Sequence, residues 1–248
     1  MINFLLALQF LTRIQLGNIN FDPNKHSFAK SILYFPLVGL IIGVIFYGYV
    51  TITGAYIDQL VVASLFIVLS IYITGGLHLD GFMDTMDGVL SGREREKILE
   101  IMKDSRVGAH SVTAVIPLLI VKFSLIASMP IVYLPVAVLL MPLIARYGIV
   151  VSMLCWPYAR NQGLGKLFVG GNKNIVLLVT TIFTLVLTYA VLNTVGIILF
   201  AITMVAVLIM NFKISKKLSG LTGDTYGAVC ELTEVLFLLF FYILIRVI

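Results

Sequence analysis

Three aspartates, Asp80, Asp84 and Asp87, stand in the stretch 74–88 at intervals of four and three residues. In a helix such positions share one face. Carboxylates ~6 Å apart repel by roughly 2–3 kcal/mol per neighbouring pair at an effective dielectric of ~20. No lysine or arginine follows to neutralise them before Arg93. A divalent cation reverses the sign of that repulsion. Oxygen-only ligands favour Mg²⁺ or Mn²⁺ over zinc, and Mg²⁺ characteristically joins a few carboxylates to substrate phosphates. The plain alternative is a solvated polar loop. His78, just ahead of the cluster, is a candidate general base or phosphate contact, with a hydrogen-bonded structural histidine as the other reading. Gly75, Gly76, Gly81 and Gly88 permit close backbone approach, either to a ligand or to a neighbouring helix.

Further charged groups extend the pattern. Residues 93–106 read as an amphipathic helix followed by a turn, with Ile98, Ile101 and Met102 as its apolar stripe and Glu94, Glu96 and Glu100 in solvent. Lys103-Asp104-Ser105-Arg106 sets two cations around a carboxylate, which suits an anion site with Asp104 as a further metal ligand. A second acidic segment holds Asp224 in a glycine-flanked turn, then Glu231 and Glu234 at the start of the last apolar stretch. A carboxylate entering hydrocarbon is by default a functional group. Pairing with Lys122 or Arg146 is the structural alternative. Arg160, Lys166 and the glycines of 155–173 could cradle a diphosphate. Metal-seeking carboxylates beside phosphate-seeking cations point to phosphoryl or nucleotidyl transfer. No Walker A loop, kinase set, nucleophile elbow or zinc motif is present.

The elements that must position these groups are membrane helices. Of 248 residues 60% are apolar or aromatic and 12% are charged, about half the usual share, so the bilayer has to be the solvent. A soluble globular enzyme, a disordered chain and a disulfide scaffold are excluded. Cys155 and Cys230 form no ligand pattern. The net charge of +5 is too dispersed for a nucleic-acid binder. Spanning helices are expected at 33–53, 60–77, 111–129, 131–154, 174–192, 194–212 and 229–247, about seven in all, with tight hairpins at Pro130 and Asn193. Pro36, Pro117, Pro130, Pro135 and Pro142 are candidate helix breaks. Every second connection is basic and the others carry no cation, so the N-terminus is expected in the cytoplasm and the C-terminus outside. Ten of the twelve acidic residues fall in 80–104 and 224–234, on the same cytoplasmic side in this topology. The chain reads as one all-α integral-membrane domain, 1–248. Within it, 1–30 is an N-terminal interfacial segment, without a signal-peptide cleavage site, that remains in the mature protein. Residues 78–110 form the cytoplasmic active-site loop, and 213–228 a second acidic loop.

Motifs along nearly the whole chain resemble the cobalamin synthase family of adenosylcobinamide-GDP ribazoletransferases. They are Phe10-Leu-Thr-Arg13, Phe35-Pro-Leu-Val-Gly39, Gly75-Gly-Leu-His-Leu-Asp-Gly-Phe-Met-Asp-Thr-Met-Asp-Gly88, Leu99-Glu-Ile-Met-Lys-Asp-Ser-Arg-Val-Gly108, Tyr158-Ala-Arg-Asn-Gln-Gly-Leu-Gly165, and Thr222-Gly-Asp-Thr-Tyr-Gly-Ala228 leading to Glu231. The resemblance implies a multi-pass cell-membrane enzyme, surrounded by lipid, with its active site facing the cytoplasm. It would transfer phosphocobinamide from adenosylcobinamide-GDP to α-ribazole or its 5′-phosphate, releasing GMP, with Mg²⁺ required. On that basis Asp80, Asp84, Asp87, Asp104 and Asp224 are expected at the metal. Lys103, Arg106, Arg160 and Glu231 are expected at phosphate or substrate, and Asp84, Asp87 or His78 at the hydroxyl proton. A homo-oligomer is left open. Alcohol phosphotransferases of lipid synthesis share the setting, but their Asp-Gly-x-x-Ala-Arg opening is absent, since Asp80-Gly81 continues Phe-Met-Asp-Thr. A secondary transporter would be expected to show an inverted repeat, and the two acidic segments are unlike each other.

Overall fold

The structure is a computed structural model that describes residues 2–16, 28–160 and 172–247. Its regular elements are helical. In chain order they are α1 (Ile2–Leu11), α2 (Phe28–Ser31), a 3₁₀ turn (Ile32–Tyr34), α3 (Phe35–Thr53), α4 (Gln59–Thr74), α5 (Leu77–Leu90), α6 (Arg95–Ile101), α7 (Ala109–Ser128), α8 (Leu134–Cys155), α9 (Lys173–Leu218) and α10 (Gly223–Val247). Five helical runs are long and apolar enough to cross a membrane, and six if α4 and α5 are taken as one broken span. The longest, α9, is broken at Asn193 (φ 51°, ψ −137°). A Cβ on Gly196 would collide with the Thr188 carbonyl, so the arms 173–192 and 194–218 fold back on each other at the expected hairpin. The second expected turn forms too, with Pro130 between α7 and α8, but these two helices pack on other partners and not on each other: α7 on α4 and α5, α8 on α3 and α10.

Helix α8 is the central post. Most of its residues are buried, Arg146 among them. Its closest neighbour is α3, where Gly39 and Gly43 rest on the backbone of Pro142 and Leu139 so tightly that no side chain would fit. Small residues four apart allow this approach, and packing contacts, not hydrophobic force, hold helices together in lipid. The prolines act mildly: Pro36 and Pro135 sit in first turns, while Pro117 and Pro142 are accommodated inside helices.

At Gly75 and Gly76 (φ 64° and 73°) the chain leaves α4 in two consecutive left-handed residues and turns by 92° into α5. Two glycines are what such a reversal requires. Helix α5 therefore runs at nearly a right angle to α4, across the end of the bundle. The expected loop over 78–110 is therefore mostly helix. Ile98 and Met102 of the expected apolar stripe are buried, against Ala159 and Leu218. Arg95 ties three connections together: its Nε donates to the Leu218 carbonyl (2.7 Å) and its Nη2 to the Ala159 carbonyl (2.8 Å). Pro157, Ala159 and Leu221 add two backbone hydrogen bonds, from Leu221 N to Pro157 O and from Ala159 N to Leu221 O. The three basic connections 91–108, 155–160 and 213–222 thus meet at one end of the bundle. Two expectations change. Helix α10 begins at Gly223, so Asp224 stands in its first turn and not in a loop, and the second acidic loop shrinks to 219–222. Thr225 braces that start, its backbone N–H donating to Thr222 Oγ1 (3.3 Å) and its hydroxyl to the Thr222 carbonyl (2.9 Å).

Candidate active site

Helix α5 presents Asp80, Asp84 and Asp87 on one face, as their spacing required. What brings them to Asp224 is a glycine crossing. A Cβ on Gly81 would lie 2.8 Å from the Asp224 carbonyl oxygen, and one on Gly227 would lie 2.9 Å from that of His78. Bare backbones at both positions let α5 and α10 touch. Gly88 serves α6 in the same way, against Ile98 and Met102. The packing reading of these glycines is the one realised.

Two cavities flank this crossing. One, of about 290 Å³, is lined by Asp80, Asp84, Asp87, Asp104, Lys103 and Arg106, six of the residues expected at the site. The other, of about 240 Å³, is lined by Asp80, Asp224, Arg160 and His78 together with apolar and aromatic walls. Asp80 borders both. Among the described residues, the carboxylates of Asp80 and Asp84 have no hydrogen-bond or ion-pair partner. Partial burial, and then the neighbouring charges of Asp80, Asp224 and Asp87, push the Asp84 carboxyl up to about 6.

The other acids are engaged. Asp87 accepts from the backbone N–H of Gly108 (2.8 Å) and of Ser111 (2.9 Å), capping the start of α7. Arg106 Nη2 lies 2.5 Å from Asp104 Oδ2, and this pairing holds the Asp104 carboxyl down at about 2. Arg160 Nη2 lies 2.8 Å from Asp224 Oδ2. His78 is buried, and burial followed by the charge of Arg146 lowers its imidazole to about 3, so the ring is neutral.

Among the described residues, no three His, Cys, Asp or Glu side chains converge closely enough to hold a metal unaided. Mg²⁺ does not ask for that, since it usually takes one or two carboxylates and completes its shell with water and substrate phosphate. The unpartnered, mutually repelling pair Asp80 and Asp84, with Asp224 close by, is a donor set of this kind.

The chain matches the cobalamin-5-phosphate synthase family over residues 3–242. It belongs to that family. It is 42% identical over 241 residues to the adenosylcobinamide-GDP ribazoletransferase of Desulfitobacterium hafniense, covering 94% of each chain. The ribazoletransferase of Acetivibrio thermocellus is 41% identical over 242 residues, covering 96% of each. That of Clostridioides difficile is 36% identical over 253 residues, covering 98% of this chain and 97% of the relative. No solved structure matches the chain.

In this cobalamin-5-phosphate synthase family member, Glu231 does not reach either cavity. Lys122 Nζ lies 2.8 Å from Glu231 Oε2 and 2.7 Å from Glu234 Oε2, and Arg146 pairs with Glu234. The pairing given above as the alternative is the one formed. Lys166 lies outside the described residues. Sequence reasoning missed the apolar walls of the smaller cavity, Phe10, Ile149, Met153 and Tyr226 among them. They come from α1, α8 and α10, and no local pattern joins them.

Proposed function

We propose that this protein is the Mg²⁺-dependent enzyme that transfers phosphocobinamide from adenosylcobinamide-GDP to α-ribazole or its 5′-phosphate, releasing GMP. The observation that carries the mechanism is the polar cavity, where the unpartnered Asp80 and Asp84 sit across from Lys103 and Arg106. Mg²⁺ held by Asp80 and Asp84, with Asp224 beside them, would shield the diphosphate and stabilise the leaving phosphate. Asp87, held by the first turn of α7, keeps the acidic face in register and would be a further ligand or orienter of the cation. Lys103, Arg106 and Arg160 take phosphate oxygens, and binding there asks Arg106 and Arg160 to share or release Asp104 and Asp224. An acceptor hydroxyl attacks the phosphorus on the cobinamide side, in line with the departing GMP. Asp84 or Asp87, on the acidic face, is the candidate acceptor for the hydroxyl proton. The neutral His78 serves as a hydrogen-bonding group instead of a phosphate contact.

The acidic end of the bundle faces the cytoplasm in this reading, supported by the meeting of the three basic connections there. Asp84→Asn tests the mechanism. GMP release by the detergent-purified protein should fall at least a hundredfold, with helical content unchanged and the melting temperature no lower than that of the wild type. A variant that keeps a tenth or more of wild-type turnover would remove Asp84 from the chemistry. Mg²⁺-dependent GMP formation by the wild type, with an equal amount of cobalamin product, tests the activity itself.

A further inference from the structure

We infer that the site is divided into two compartments sharing Asp80, and that the smaller, apolar one seats the aromatic base of the acceptor nucleoside. The inference rests on the proposed transfer and says where its two substrates lie. The polar compartment has no aromatic side chain in its wall and four carboxylates. It suits a diphosphate with its cation and offers a flat base nothing to stack on. The other compartment has three aromatic residues in its wall, Phe10, Tyr158 and Tyr226, with Ile149 and Met153 alongside, and its charged groups are the shared Asp80 and the ion pair of Asp224 with Arg160. Its volume of about 240 Å³ is of the order of a single nucleoside, far below that of a corrinoid. Phe10 is itself backed by Phe35, the rings stacked 6.2 Å apart, so that wall is firm.

His78 supplies the polar complement. It is 3% exposed and borders this compartment, and among the described residues neither ring nitrogen has a hydrogen-bond partner. A buried polar group left unpaired costs ~1–3 kcal/mol. A heterocyclic nitrogen or a sugar hydroxyl of a bound nucleoside would relieve that cost. Binding pockets are commonly built this way, with apolar walls and a few placed polar groups. The base held here directs its sugar toward Asp80, the shared wall. There the sugar hydroxyl oxygen forms a bond to the cobinamide-side phosphorus, and the bond from that phosphorus to the GMP oxygen breaks. GMP leaves on the polar side, and the hydroxyl proton passes to a carboxylate of the acidic face.

The test is Met153→Trp, which fills the apolar compartment from an uncharged wall position. With the full-length protein in detergent, the KM for α-ribazole should rise at least tenfold while that for adenosylcobinamide-GDP stays within twofold. A KM that rises for the GDP donor alone, or equally for both substrates, overturns the assignment. Met153→Ala, which enlarges the same compartment, is the second variant should the tryptophan protein not fold, and the same split is expected. Calorimetric titration of the wild type with α-ribazole in EDTA reads the compartment without turnover. Binding should persist in EDTA and disappear in Met153→Trp, and binding that requires Mg²⁺ overturns the inference. Absence of turnover by a wild type that binds α-ribazole in this way would refute the proposed transfer and leave the compartment standing.

Discussion

Replacing Gly81 by alanine probes the step on which the whole site depends, the contact between α5 and α10. The new Cβ would fall 2.8 Å from the Asp224 carbonyl oxygen and 3.1 Å from its Cα. Both atoms are backbone, so no side chain can swing aside. Comfortable carbon contacts lie near ~3.5–4.0 Å, so α10 has to retreat from α5 by roughly 0.5–1 Å. Overpacking of this size costs ~1–3 kcal/mol of stability. Its effect on chemistry is larger, because a misplacement of ~1 Å can lower a rate by ~100-fold. The expected result is a kcat for GMP release reduced about 10- to 100-fold. Gly227→Ala, whose Cβ would meet the His78 carbonyl oxygen at 2.9 Å, should act in the same direction. Gly48→Ala is the control, since nothing lies within 4 Å of its added Cβ, and kcat should stay within twofold. Circular-dichroism melts accompany each assay. A Gly81→Ala protein that keeps more than half the wild-type kcat would refute the close-contact argument. So would activity lost only in proportion to unfolded protein.

The acidity of Asp84 gives a pH signature. Its carboxyl is raised to about 6, so in the metal-free protein it holds a proton through the range where an ordinary aspartate has lost it. Mg²⁺ needs the anion, and apparent affinity should fall about tenfold per pH unit below ~6 and level off above ~7. The metal-free fold should gain stability as pH drops from 7 toward 4, the reverse of a salt-bridged carboxylate, because over that range the folded state holds the proton that the unfolded state has released. Mg²⁺ titrations and melts from pH 5 to 8 check both, and an identical profile in Asp84→Asn would dismiss the assignment. Within the bundle, Lys122→Met leaves Glu231 and Glu234 with Arg146 as their remaining cation, and breaking a buried ion pair costs ~3–5 kcal/mol. Detergent melts should show a clear loss, with Glu231→Gln added to it restoring part. An unchanged melting point would show that these charges are solvated.

The sequence made the acidic face legible because its cause is local. Asp80, Asp84 and Asp87 follow the helical repeat, and Gly75 and Gly76 mark the turn that lays their helix across the bundle. The turn at Pro130 and the hairpin at Asn193 were readable for the same reason. Non-local facts were not. Nothing near Asp87 announces that its two oxygens meet the N–H groups of Gly108 and Ser111, which ties an expected metal ligand to the start of α7. Glu231 carried two readings because its partner, Lys122, lies on a helix distant in sequence. The apolar compartment was invisible altogether, since Phe10, Ile149 and Tyr226 share no periodicity and meet only once α1, α8 and α10 have packed.

The charge network beneath the site explains how so polar a face can rest on a membrane bundle. Lys122 and Arg146 balance Glu231 and Glu234, so the hydrocarbon interior carries no net charge from the four. They join α7, α8 and α10. The first of these helices is capped by Asp87, and the last carries Asp224 seven positions before Glu231, roughly 10 Å along the helix axis. Helix α10 is therefore held to α7 and α8 by ion pairs below and to α5 by bare glycine contacts above. What remains adjustable is the connection after α6, where Asp104 and Arg106 are exposed and bonded to each other. On the proposed reading, a bulky donor would meet this exposed connection first, while the carboxylates that would hold its cation stand on α5, packed against α10.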